Sequence, residues 1–130
     1  KFAVWGLSFK PETDDIREAP SLVIVDQIIK AGGIVAAYDP VSMDEFRKIR
    51  PDIFYTRDMY ESCIDASAVL LVTEWKEFRS PDFEELKNKM KQHVIFDGRN
   101  QYGSLDLEEK GFEYYQIGVK NIKISDYIKN

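Results

Sequence analysis

Ala68-Val69-Leu70-Leu71-Val72 is the stretch of sequence that decides the fold, because all five residues are apolar. A strand with one face in water alternates apolar and polar residues. A strand that is apolar throughout is typical of a parallel sheet whose two faces are both covered by helices. We therefore expect further strands on both sides of residues 68–72, joined by helical crossovers.

Helical and strand-like patterns alternate along the rest of the chain. Apolar residues at three- and four-residue spacing predict a helix over 19–31, with Pro20 in its first turn and Gly32-Gly33 at its end. The other predicted helices span 42–50, 59–64, 83–91 and 105–110, and the predicted strands span 2–6, 34–38, 53–55, 68–72, 94–96 and 112–115. This order predicts an α/β fold: a Rossmann-like, doubly wound, mostly parallel sheet of five to six strands with helices on both faces.

Composition narrows the class of protein and of ligand. The chain has 130 residues, a net charge of −5 at pH 7 and one cysteine, Cys63. This length fits one domain. Lys and Arg are scattered, which argues against nucleic acid and an anionic membrane as partners, and no apolar run approaches the roughly 18 residues of a membrane span. A single cysteine excludes an internal disulfide and a multi-cysteine metal site, and it fits a reducing cytoplasm. Anionic small molecules remain open as ligands.

The two ends of the chain carry separate expectations. The sequence opens directly in the predicted strand 2–6, and this abrupt start suggests a fragment of a longer protein. Residues 119–130 are polar, and their pattern fits either a tail or a short terminal helix. We expect the folded domain to span residues 1–118.

Cationic side chains follow two of the predicted strands. In an open parallel sheet, ligands bind beyond the carboxyl ends of the strands. The long loop after the first strand lacks the G-x-G-x-x-G dinucleotide pattern but holds Lys10 and Arg17, and Arg99 follows the strand 94–96 in Asp-Gly-Arg-Asn. Lys10 and Arg99 could converge on a diphosphate, since Arg forks onto phosphate and Lys adds a mobile charge. Solvated loop charges are the alternative, and spacing alone leaves both open.

Five ordered blocks of sequence are specific enough to indicate a family. They are residues 6–21 (opening Gly-Leu-Ser-Phe-Lys-Pro), 38–40 (Tyr-Asp-Pro), 71–79 (Leu-Val-Thr-Glu-Trp-Lys-Glu-Phe-Arg), 95–100 (Ile-Phe-Asp-Gly-Arg-Asn) and 111–118 (Gly-Phe-Glu-Tyr-Tyr-Gln-Ile-Gly). Over residues 1–118 the chain resembles the UDP-binding C-terminal domain of the UDP-glucose/GDP-mannose dehydrogenase family, and the UDP-glucose branch most closely. Two departures are Ser8, where alanine is frequent, and Val119, where arginine is common and would add a charge.

The resemblance implies an enzyme larger than this chain. In that family an N-terminal NAD-binding domain and a long central dimerisation helix precede the C-terminal domain. We therefore expect both outside these residues, in a parent protein that is a homodimer or larger. The implied reaction oxidises the C6 hydroxyl of UDP-glucose to the carboxylate of UDP-glucuronate in two NAD-linked steps. A cysteine nucleophile upstream of Lys1 carries the intermediate as a thioester. Cys63 lies in another motif context and is expected to be a small buried apolar residue, so this fragment should be inactive alone.

The resemblance also implies roles for single residues. Phe9, Lys10 and Arg99 match substrate-binding positions, with Lys10 close to the UDP-sugar. Arg17 matches the arginine that reaches across the domain cleft to NAD. No residue of this chain matches a catalytic or metal-binding position.

Other residues of these blocks are expected to be structural. Asp14 and Asp15 should organise the first loop or orient Arg17. Trp75 and Phe78 should pack at the domain edge rather than touch ligand. His93 is expected at the surface, where a strand begins.

Three alternatives accompany this hypothesis. GDP-mannose and UDP-N-acetylmannosamine dehydrogenases are alternatives within the family, because the sugar pocket lies largely outside this chain. A phosphoacceptor receiver domain would need an acidic pair at the end of its first strand, whereas Asp14 and Asp15 lie well past it. A non-catalytic module, either nucleotide-binding or purely structural, is the third, and the purely structural one would bind no UDP.

Overall fold

Residues 1–8, 16 and 19–117 are described by a computed structural model. Their strands are β1 (Phe2–Trp5), β2 (Val35–Tyr38), β3 (Phe54–Tyr55), β4 (Ala68–Leu71), β5 (Val94–Asp97) and β6 (Glu113–Gln116). Their α-helices are α1 (Pro20–Lys30), α2 (Met43–Ile49) and α3 (Phe83–Lys89), and short 3₁₀ turns lie at Glu61–Cys63 and Lys76–Phe78. Within these residues no helix has the length and apolar character that crossing a bilayer requires.

The six strands form one sheet in the order β3-β2-β1-β4-β5-β6, and every neighbouring pair is parallel. The predicted α/β fold is therefore confirmed, with a sheet that is parallel throughout. β1 lies near the middle, where Trp5 is in register with Tyr38 of β2 and Leu71 of β4. The chain runs outward from β1 to β3 and then returns to the other side of β1 for β4. This reversal marks the place where such sheets bind ligands.

Apolar clusters cover both faces of the sheet. Successive side chains of a strand point to opposite faces, so Val4 packs in one cluster while Ala3 and Trp5 pack in the other. Helices α1 and α2 cover the face of Val4 and contribute Ile24, Val25, Ile28 and Phe46. Helix α3 and the two 3₁₀ turns cover the face of Ala3 and Trp5 and contribute Cys63, Phe78 and Leu86. All of residues 68–72 are buried, as their apolar character predicts.

The helices begin and end where the local sequence dictates. Pro20 opens α1, where its missing N–H leaves no intrahelical bond unmade. The helix stops at Lys30, just before Gly32, whose φ is +86°. Asp82 caps α3 by accepting from the backbone N–H of Glu85, which satisfies one of the free donors at a helix start.

Two of the predicted helices are wrong. Over 59–64 only Glu61–Cys63 forms a helical turn, of the 3₁₀ type, because Ile64 is extended and Asp65 has a φ of +59°. Over 105–110 the chain makes turns, and Asp106 has a φ of +53°, which a right-handed helix does not allow. The predicted tail or helix over 119–130 lies outside the described residues.

Candidate functional site

The carboxyl ends of β1, β4 and β5 form one rim of the sheet. Trp5 is in register with Leu71, and Leu71 with Asp97, so the residues that follow these strands leave the sheet side by side. We call the segments 6–8, 72–75 and 98–100 together the rim loops. They contain Gly6, Thr73 and Arg99, each from a sequence block singled out above.

The first rim loop is packed tightly against the second. Gly6 has a φ of +95°, and a Cβ built on it would lie 2.4 Å from Thr73 Cβ and 2.6 Å from Thr73 N. Only glycine fits both the left-handed backbone and this close approach. Thr73 Oγ1 donates to the Ser8 carbonyl at 2.7 Å, which ties the two loops together.

Asp39, at the end of β2, holds several segments at once. Its side chain is fully buried and accepts four hydrogen bonds. Oδ2 accepts from Leu7 N at 2.7 Å and from Trp75 Nε1 at 3.2 Å. Oδ1 accepts from Val41 N at 2.8 Å and from Ser42 N at 2.7 Å. One carboxylate thus fixes the first two rim loops and the start of α2.

Asp97, at the end of β5, does the same for the third rim loop. It is fully buried and accepts from the backbone N–H groups of Arg99, at 3.0 Å, and Tyr102, at 2.8 Å. It also accepts from Tyr114 Oη at 2.7 Å. Burial, together with this bond to a carboxylate, raises the pKa of Tyr114 to about 12. The backbone that carries Arg99 is therefore anchored to the sheet.

Arg99 forms a two-point ion pair with Glu74 across the rim. Nε donates to Glu74 Oε2, and Nη2 donates to Oε1 at 2.9 Å. Both side chains are between a quarter and a third exposed. The hydrogen bonds from Arg99 lower the pKa of Glu74, against the opposing effect of burial. The bond to Glu74 likewise raises the pKa of Arg99. Both groups are therefore charged at neutral pH.

Two adjoining cavities open beside this ion pair. The first, of about 470 Å³, has as described lining residues Glu74, Asp97, Gly98, Arg99, Asn100, Gln116 and Ile117. The second, of about 440 Å³, shares Asn100 and Gln116 with the first and adds Gln101, Gly103 and Ser104. Gln116 Nε2 donates to Asn100 Oδ1 at 2.5 Å where the cavities meet. The first cavity thus offers a guanidinium, and the second offers uncharged amide and hydroxyl groups.

The predicted site residues fall into two groups. Arg99 lies at the rim, beside the first cavity. Phe9, Lys10, Asp14, Asp15 and Arg17 lie outside the described residues, so the convergence of Lys10 with Arg99 stays a prediction. The sequence did not single out Glu74 as a site residue. The feature of the sequence that could have identified Glu74 is its position directly after Thr73, on the loop that follows β4.

Several residues expected to be structural are buried or partly buried. Trp75 and Phe78 are buried, and Trp75 reaches Asp39. His93 is partly buried beside the carbonyl of Lys87, with its ring nitrogen 3.0 Å away. Cys63 is fully buried, and burial raises the pKa of its thiol to about 12, which leaves it protonated and unreactive. The described residues contain no group of three or more His, Cys, Asp or Glu side chains placed to hold a metal ion.

Comparison with known proteins gives consistent matches. The model of the "UDP-glucose/GDP-mannose dehydrogenase family, UDP binding domain" matches residues 3–104. UDP-glucose 6-dehydrogenase of Rhizobium meliloti is 42% identical over 118 residues, which are 91% of this chain and 27% of that protein. The enzyme of the same name from Pseudomonas aeruginosa is 41% identical over 122 residues, with 89% and 27% covered.

A solved structure agrees in fold. NDP-N-acetyl-D-galactosaminuronic acid dehydrogenase from Methanosarcina mazei superposes with a TM-score of 0.77 at 28% identity. The match covers 90% of this chain and 24% of the other. The chain therefore spans about a quarter of the length of these three relatives.

Proposed function

We propose that this chain binds a UDP-sugar at the rim loops, because it belongs to the UDP-glucose/GDP-mannose dehydrogenase family and matches the UDP-binding domain of that family. Its role is that of the UDP-sugar-binding domain, over residues 1–118, in an NAD-dependent UDP-glucose 6-dehydrogenase. That enzyme oxidises UDP-glucose to UDP-glucuronate, with one water consumed and two NAD⁺ reduced to NADH. The observation that carries the proposal is Arg99, held by Glu74 beside an open cavity at the carboxyl end of β5, one strand away from the point between β1 and β4 where the strand order reverses.

The chemistry of the two cavities supports a nucleotide sugar as the ligand. The guanidinium of Arg99 suits a phosphate, which it contacts through two parallel N–H groups. The uncharged amides of Asn100 and Gln116 suit the hydroxyl and carbonyl groups that flank a diphosphate in such a molecule. Lys10 and Phe9 complete the substrate contacts in this proposal, on the loop that continues from Ser8.

The described residues do not by themselves fit NAD. The turn after β1 has no G-x-G-x-x-G sequence, and Gly6 is covered by Thr73 rather than open to a pyrophosphate. We therefore place NAD mainly on the N-terminal domain that the family has, with Arg17 reaching toward it. The catalytic cysteine is likewise assigned to that larger enzyme, since Cys63 is buried and its thiol is protonated.

UDP-glucose is proposed as the sugar nucleotide because of the sequence similarity to known enzymes. The two relatives at 41% and 42% identity are both UDP-glucose 6-dehydrogenases. UDP-N-acetylmannosamine dehydrogenase Cap5O from Staphylococcus aureus, a solved structure 32% identical to this chain, represents the competing sugar. Because the sugar pocket lies largely outside this chain, comparing its affinities for UDP and GDP tests only which nucleotide it prefers. Identifying the sugar requires the whole enzyme.

Calorimetric titration of this chain with UDP tests the proposal. We expect weak binding and no NAD reduction, because the chain supplies only one wall of the site. Arg99→Ala should lower the affinity for UDP at least about tenfold, because it removes a charge-assisted contact. A tenfold loss corresponds to about 1.4 kcal/mol of binding free energy. Lys10→Ala should also weaken UDP, and Arg17→Ala should not.

Arg47→Ala is the matched control for loss of a cation. Arg47 lies on α2, where its guanidinium is 4.7 Å from the centroid of the Tyr55 ring and away from the rim loops. We expect Arg47→Ala to bind UDP like the unmodified chain. Equal affinities of the Arg99→Ala and Arg47→Ala variants would refute the proposed site, and absence of any UDP binding would favour a purely structural module.

A further inference from the structure

The ion pair between Arg99 and Glu74 uses only one side of the guanidinium. Glu74 accepts from Nε and Nη2, which is the side-on arrangement. The end of the guanidinium is formed by Nη1 and the second N–H of Nη2. Within residues 1–8, 16 and 19–117, no group accepts a hydrogen bond from Nη1. A phosphate can therefore accept hydrogen bonds from Nη1 and the second N–H of Nη2 while Glu74 keeps its bonds to Nε and Nη2.

Both partners of the ion pair stand on fixed backbone. The residues on either side of Glu74 are anchored: Thr73 donates to the Ser8 carbonyl, and Trp75 donates to Asp39. The backbone N–H of Arg99 is anchored to Asp97. Glu74 thus holds the long side chain of Arg99 in one direction relative to the rim loops.

This restriction matters because a free arginine side chain loses rotamer entropy when it is ordered. An arginine that is already ordered by Glu74 loses less of that entropy when it binds phosphate. We propose that Glu74 is a positioning residue for phosphate binding: it holds the guanidinium of Arg99 side-on, with the end of the fork facing the diphosphate. This inference rests on the proposed function.

The opposite role of Glu74 is that of a competitor. If the carboxylate had to leave Arg99 before phosphate could bind, removing it would tighten UDP binding. Removing any negative charge near the diphosphate also favours binding, so a single substitution does not separate the two roles. Glu74→Gln and Glu74→Ala both remove the charge, but only Gln keeps an acceptor oxygen for the guanidinium. Their difference isolates positioning.

The first experiment is UDP titration of this chain and its Glu74→Gln and Glu74→Ala variants. We expect Glu74→Ala to bind UDP about 3- to 10-fold more weakly than Glu74→Gln, since part of the ordering of Arg99 is lost. In an Arg99→Lys background the difference should fall below about twofold, because lysine has no planar fork to orient. An unrelated structural effect of residue 74 would persist in that background.

The second measurement does not depend on any Glu74 variant being folded. Proton–nitrogen spectra of the unmodified chain should show the Nε–H signal of Arg99 protected from exchange, and it should stay protected when UDP is added. Loss of that protection on binding UDP would overturn the inference, because Glu74 would then have left. Equal affinities of the Gln and Ala variants would overturn it as well.

Failure of this inference is distinguishable from failure of the proposed function. If Arg99→Ala weakens UDP while the two Glu74 variants bind equally, only the positioning role falls. If Arg99→Ala leaves UDP affinity unchanged, the proposed site falls and the role of Glu74 falls with it.

Discussion

Replacing Asp39 with asparagine tests how strongly one buried carboxylate holds the rim loops together. Asparagine keeps the shape but turns one acceptor oxygen into an NH₂ donor. In either orientation, two of the four N–H groups that face residue 39 lose their acceptor and meet a donor instead. A buried donor without a partner costs about 1–3 kcal/mol. We therefore expect Asp39→Asn to lower the free energy of unfolding by about 2–4 kcal/mol.

Urea denaturation followed by tryptophan fluorescence measures this loss, and Trp75 itself reports on the bond to Asp39. The midpoint should fall while the dependence of the unfolding free energy on urea stays unchanged. Asp44→Asn is the control, since the side chain of Asp44 is 92% exposed and should cost no more than about 0.5 kcal/mol. A loss below about 1 kcal/mol for Asp39→Asn would refute the reasoning, because it would mean that water or relaxation replaces the lost acceptor.

Three further outcomes are expected. Gly6→Ala should cost well over 3 kcal/mol, whereas Gly32→Ala should cost about 1 kcal/mol: both have positive φ, but only Gly6 would clash with Thr73. Equal losses in urea denaturation would exclude the clash. Cys63 should react with a thiol reagent only after unfolding, and labelling of the native chain would contradict its burial. Because folding lowers the pKa of Glu74, its ion pair stabilises the fold above the usual value of 4.5 and is lost as pH falls through the lowered value. The stability difference between the unmodified chain and Glu74→Gln, about 0.5–1 kcal/mol, should therefore be constant from about pH 5 to 8 and shrink in more acidic urea titrations. A difference that grows toward low pH would reverse the assigned sign.

The sequence predicted the strands and the first helix well because their signals are local. The apolar run 68–72 and the helical spacing before Gly32 each reflect burial of a continuous stretch of chain. The turns over 105–110 were mistaken for a helix because the left-handed backbone of Asp106 has no clear signature in a single sequence. An aspartate tolerates that conformation but does not require it.

The site was predicted less completely because its contacts join distant segments. Glu74 and Arg99 follow different strands, and only the strand order places those strands side by side. Asp39 next to Pro40 resembles an ordinary turn residue. Its four donors come from three separate segments, so its role becomes visible only in the assembled sheet.

The position of β1 between β2 and β4 has a consequence for how the chain folds. Neither neighbour is joined to β1 by a hairpin, so every strand pairing in this sheet must wait for a crossover to close. Long-range pairing of this kind slows folding relative to proteins rich in local contacts. Until β4 arrives, one edge of β1 is unpaired and its apolar residues are uncovered. Partly folded chains are therefore the species most prone to aggregate.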